Sequence, residues 1–130
     1  MWKTASLILL LSSQIASADD RWYSDRHAKI GAGLYQQHCA VCHGKSAEGA
    51  PNWTKLGPDG FYPPPPLNGT AHTWHHPLKS LYGTIMNGQN KMPAWQGKLR
   101  KEETLAIIAW FQSQWSDEVY SAWKRMDGTL

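Results

Sequence analysis

The stretch Cys39-Ala40-Val41-Cys42-His43 decides how this chain is read. Two thiols three positions apart, followed at once by an imidazole, have the spacing that attaches a c-type heme. Near a helix end each thiol can add to one vinyl group on a single porphyrin edge. The next residue, His43, is then placed to turn its ring onto the iron. Two other chemistries use paired cysteines. A thioredoxin-type redox pair sits at a helix N-terminus within a βαβ pattern, whereas this pair closes a helix in a chain without strand signals. A zinc half-site would need further sulfur or histidine partners at finger spacing, and Cys39 and Cys42 are the only cysteines.

Upstream of the motif, Asp25 to about Ala40 reads as a helix, with Ile30, Leu34 and Tyr35 at helical spacing. Gly31 and Gly33 are poor helix formers, so another requirement must hold them there. Downstream, Gly44 to Thr70 is rich in Gly, Pro and Asn around Pro63-Pro64-Pro65-Pro66, which predicts a long irregular loop. Loops of that length in a compact domain usually wrap something. Pro77 suits a helix start, Leu78, Leu81, Tyr82 and Ile85 form one apolar stripe, and Asn87-Gly88 ends it. A second irregular segment, Gln89 to Arg100, carries Met92-Pro93. The strongest helix runs from about Lys101 to Gln114, with Leu105, Ile108, Ala109 and Phe111 or Trp110 on its buried sides. Glu102 and Glu103 suit its first turn, but Arg100 and Lys101 are poor caps. A terminal helix starts after Ser116 and stops at Gly128. No repeat, linker or useful strand pattern appears.

The composition agrees. The 130 residues allow one domain, and 42% hydrophobic residues suffice for a modest core. A net charge of +3 with mixed signs, and no recognisable motif, argues against nucleic-acid binding. Residues 1–18 read as a secretory signal: Lys3, an apolar run from Ala5 to Leu11, then Ala16-Ser17-Ala18. The run is too short for a bilayer, which needs about 20 apolar residues. The mature domain is expected over residues 19–130, exported, in a bacterium to the periplasm, with no stable membrane span after signal removal.

With these residues in place the chain resembles the class I monoheme cytochromes c. Gly31, Tyr35 and Cys39 share one helix face. In that family a glycine and an aromatic there let the first helix cross the last one closely, with Trp110 as the partner in this sequence. The resemblance implies an all-α fold, three to four helices with long loops wrapped around one covalent heme c. Cys39 and Cys42 would tether it, and His43 and Met92 would be its axial iron ligands. Met86 competes but reads as core beside Ile85. Pro65-Pro66-Leu67 resembles the element that offers a carbonyl to the axial histidine. The implied function is periplasmic one-electron transfer between redox partner proteins, with no catalytic residue. The alternatives are a heme-based peroxidase or gas-binding sensor with a displaceable sixth ligand, or an accessory cytochrome subunit of a larger oxidase or dehydrogenase.

One segment falls outside the family pattern, and two further signals stand beside it. His72-Thr73-Trp74-His75-His76 offers imidazoles at a spacing copper or zinc could use, or a Trp74 for the heme edge, but loop histidines with no carboxylate or cysteine beside them are expected to be satisfied locally. Lys91, Lys98, Arg100 and Lys101 crowd the Met92 loop with no acid before Glu102, a basic rim for an acidic partner. His27 and His38 are expected to face solvent without function.

Overall fold

Ser24 opens the first helix by accepting a hydrogen bond from the His27 N–H at 3.1 Å on its hydroxyl. In this computed structural model, which describes residues 20–128, helix α1 spans Asp25–His38. The proposed signal lies outside the described residues. Cys39 breaks the helix one residue earlier than expected, and a single turn, α2, follows over Ala40–His43. After the long loop come a 3-10 turn over His72–His75, α3 over Leu78–Asn87, α4 over Lys101–Ser113 and α5 over Asp117–Asp127. The fold is all-α, with one more α-helix than the upper expectation because α2 separates from α1. The described residues hold no strands, only two isolated bridges.

The α1–α4 crossing sets the frame. The buried residues of α1 are Ala28, Gly31 and Tyr35, while Ile30 faces solvent at 51% exposure. Small residues hold the crossing point itself, because the two backbones nearly touch there. A Cβ on Gly31 would lie 1.7 Å from the Ala106 carbonyl oxygen, so only glycine fits. One turn further on, the Tyr35 and Trp110 rings pack with centroids 4.1 Å apart. Gly33 carries no such requirement: it is exposed and nothing lies within 4 Å of the Cβ position.

Helix α4 starts without a side-chain cap on Arg100, as expected, but Glu103 supplies the missing partner. Its carboxylate accepts from the Arg100 backbone N–H at 2.8 Å and from the guanidinium at 3.1 Å. That bonding holds the Glu103 carboxyl below its ordinary range.

Helix α5 is bolted back onto the body by contacts distant in sequence. Trp123 Nε1 donates to the His76 carbonyl at 2.9 Å, and the Asp127 carboxylate accepts from the Leu78 N–H at 2.6 Å, capping α3. The segment before α1 closes the same side. Trp22 Nε1 donates to Gln112 Oε1 at 2.7 Å, the Trp22 N–H donates to the Tyr120 hydroxyl, and the Arg21 guanidinium lies over the Tyr120 ring.

Candidate heme site

The C-terminal turn of α1 and the short α2 position the motif. The Cys39 N–H donates to the Tyr35 carbonyl at 2.8 Å, and the His43 N–H donates to the Cys39 carbonyl at 2.9 Å. The Tyr35 hydroxyl fixes the far end by donating to the Gly44 carbonyl at 2.7 Å. Both thiols are free, Cys39 half-buried and Cys42 exposed. Burial, and then the neighbouring Cys42, pushes the Cys39 thiol up to about 11.

His43 is buried, and its Nδ1 lies 2.9 Å from the Pro65 carbonyl oxygen. A carbonyl can only accept, so Nδ1 carries the proton and Nε2 keeps its lone pair. Burial holds the imidazolium form below its usual range, against the opposing pull of the Pro65 bond. A neutral ring with a fixed tautomer is the state a metal ligand needs.

The proline run serves as a row of acceptors. Proline lacks an N–H, so the run can only offer carbonyls, and those of Pro64, Pro65 and Pro66, with that of Leu67 after them, each meet a donor from elsewhere. Pro64 accepts from the Ala50 N–H at 2.9 Å, Pro65 from His43, Pro66 from the Thr73 hydroxyl at 2.8 Å, and Leu67 from Trp115 Nε1 at 2.8 Å. Gly49, at φ +74°, lets the run approach: a Cβ there would lie 2.4 Å from the Pro66 nitrogen.

Met92 sits on a tight turn. The Gln89 and Met92 backbones exchange hydrogen bonds of 3.1 and 2.9 Å around Asn90, which is left-handed at φ +53°. Met92 itself is half-buried against the core. Met86 faces α4, with its sulfur 3.3 Å from the Thr104 hydroxyl, which also lies 3.1 Å from the Arg100 carbonyl. Met126 lies on α5, 41% exposed.

The donor chemistry fits a c-type heme: two free thiols, one buried neutral imidazole with a free lone pair, and one half-buried thioether, that of Met92. The group would supply a one-electron ferrous/ferric couple.

A family profile described as "Cytochrome C oxidase, cbb3-type, subunit III" matches residues 26–111. The chain belongs to this cytochrome c family. That membership makes it a class I c-type cytochrome, a heme-based electron carrier that works with redox partners. The chain is 27% identical over 125 residues to "Cytochrome c6, chloroplastic" of Chlamydomonas reinhardtii, covering 93% of this chain and 70% of the relative. It is also similar to the crystal structure of cytochrome CL from Methylophaga aminisulfidivorans, with TM-score 0.57 and 28% identity over 82% of this chain and 67% of the other. Helix α5 and the Arg21–Tyr23 clamp lie outside the family match. No helix among the described residues is long and apolar enough to cross a membrane.

The other sequence signals resolve into local contacts. The basic rim is partly neutralised, because Asp59, 32 residues away, pairs with Lys91, and Glu103 pairs with Arg100. Lys98 lies over the Trp95 ring at 5.6 Å. His72 stacks on Trp53 with centroids 5.3 Å apart, and Trp74 packs on His75. Among the described residues no group of three or more His, Cys, Asp or Glu is arranged to hold a metal, so the histidine segment offers no second metal site of that kind. His27 and His38 are not idle at the surface: their rings meet Trp22 and Trp95 edge-on. Sequence reasoning missed the Trp53, Asp59 and Thr73 contacts, since none leaves a local pattern.

Proposed function

We propose that this cytochrome is an exported, periplasmic one-electron carrier holding a single covalent heme c on Cys39 and Cys42, with His43 and Met92 as axial ligands. The observation that carries this reading is the division of the two candidate methionines. The Met86 sulfur lies 3.3 Å from the Thr104 hydroxyl, while Met92 closes the turn that begins at Gln89, in the loop before α4. A thioether is a soft, neutral donor that favours ferrous iron, so His/Met ligation raises the potential. With both axial positions filled, substrate has no open site, which separates a carrier from a peroxidase or gas sensor. His43 is kept neutral and oriented by Pro65, the turn supplies Met92, and the half-buried Leu67 and Trp95 supply apolar cover. Lys98 and Lys101, which form no ion pair among the described residues, would steer an acidic partner.

The accessory-subunit reading has one observation in its favour, the oxidase subunit named in the family description. Stable co-purification with a larger oxidase would favour it.

The test is direct. Heme should stay with the polypeptide on a denaturing gel, and the mass should equal the chain from Asp19 plus one heme. Carbon monoxide should bind the ferrous protein slowly. Rapid binding would replace the carrier by the open-site reading. Cys39→Ala with Cys42→Ala should lose the cofactor, and a folded, colourless wild type made with the heme-attachment machinery present would contradict the proposal.

A further inference from the structure

The turn that carries Met92 is exposed at Gln89, Asn90 and Lys91, and its tip hydrogen-bonds mainly to itself. Two backbone bonds anchor the chain after it, from the Trp95 N–H to Ile85 and from the Gln96 N–H to Met86. Among the described residues, one side-chain polar contact ties residues 89–92 to another part of the molecule: the Lys91 ammonium on Asp59 Oδ2.

Asp59 is prepared for that contact. Its other oxygen, Oδ1, accepts from the Phe61 N–H at 3.1 Å within a turn closed by the Gly57 N–H on the Phe61 carbonyl at 2.8 Å. The carboxylate is therefore fixed by its own loop before Lys91 arrives, which lowers the entropy lost in pairing. The loop continues through Tyr62 and Pro63 into Pro64 and Pro65, where His43 is held. The ion pair thus links the loop bearing one candidate axial ligand to the loop that orients the other.

We propose that Asp59 is a positioning residue that, through Lys91, latches the Met92 turn against the proline loop and restrains its opening. The inference rests on Met92 being the sixth ligand. The pair is solvent-accessible, with side-chain exposures of 65% for Lys91 and 43% for Asp59, so its effect is modest and sensitive to salt.

The experiment is a charge-swap cycle on the heme-loaded protein: Asp59→Lys, Lys91→Asp and the double swap, with Asp59→Asn as a neutral control. Two quantities are read, the association rate of cyanide with the ferric protein and the hydrogen exchange of the Gln89 and Met92 amides. Asp59→Asn should raise both the cyanide rate and the amide exchange by roughly two- to fivefold, the scale of an exposed ion pair. The double swap should return both to within about twofold of wild type, a rescue that loss of fold alone would not give. High salt should accelerate the wild type and leave Asp59→Asn unchanged. Equal rates in wild type and Asp59→Asn, or a double swap no better than the single ones, would overturn the latch. Met92→Ala separates the two layers. If it leaves cyanide binding unchanged, the ligand reading falls and takes the latch with it. If it opens the iron while Asp59→Asn behaves as wild type, only the latch falls.

Discussion

Around His43 the carbonyls of Pro64, Pro65, Pro66 and Leu67 each take a donor from a different part of the chain, whereas around Met92 the turn bonds largely to itself. The histidine side is woven through Ala50, Thr73 and Trp115, so moving it requires several distant elements to move together. The methionine side is tied more lightly: residues 89–92 bond mainly to one another with one ionic tie at the surface, and would open locally before the Trp95 and Gln96 bonds to α3 are broken. Local openings of this kind have free energies far below global unfolding. The contrast is between a histidine side held from several directions and a methionine side held mainly by its own turn.

The contrast breaks first at Thr73. Its hydroxyl is buried at 4% exposure, and Thr73→Val would leave the Pro66 carbonyl without its donor. Chemical denaturation should register a loss of about 1–3 kcal/mol. The matching change on the other side, Gln89→Ala, should stay within about 0.5 kcal/mol, since that residue is exposed and its bonds are backbone only. Equal losses would erase the distinction.

A smaller effect concerns how partners approach the methionine side. Lys91 and Arg100 are already paired, so steering falls to Lys98 and Lys101. Lys98→Glu with Lys101→Glu should slow electron transfer to an acidic partner by about tenfold or less at low salt, with an unaltered heme spectrum. The slowing should vanish at high ionic strength, as stopped-flow measurement can check.

Smallest is the pH response beside Thr73. Burial, then His76 and His75, holds His72 below its usual value. A base whose folded value is depressed binds fewer protons folded than unfolded in that window. Its stability contribution is therefore present above about 6.5, and is lost as pH falls from there toward the folded value. His72→Asn should flatten the dependence of the thermal midpoint on pH across that interval, with little change at pH 8.

Much of this was legible along the chain, for identifiable reasons. Pro77, Gly88, Ser116 and Gly128 mark helix ends through local backbone chemistry, so α3 and α5 fall where their boundary residues place them. Gly31 was readable because a glycine amid helical spacing demands a close neighbour, and Ala106 is that neighbour. The same logic misled at Gly33, which nothing requires, and at Ile30, which periodicity placed inside. Which proline holds His43 was not readable, since four identical residues differ only in the donors that face them. The Asp59–Lys91 pair, the Asp127 cap on α3 and the Trp22–Gln112 bond join residues far apart in sequence, and such pairings leave no periodic trace.

The central claim is that Met92, and no other methionine, completes the iron coordination opposite His43. The decisive measurement compares Met92→Ala with Met86→Leu in the ferric and ferrous proteins. Met92→Ala should abolish the weak sulfur-to-iron charge-transfer band in the red, lower the potential and admit carbon monoxide rapidly. Met86→Leu should keep the band and slow carbon monoxide binding, costing less than ~1.5 kcal/mol of stability as a volume-conserving exchange. A band that survives Met92→Ala, or disappears with Met86→Leu, would contradict the account.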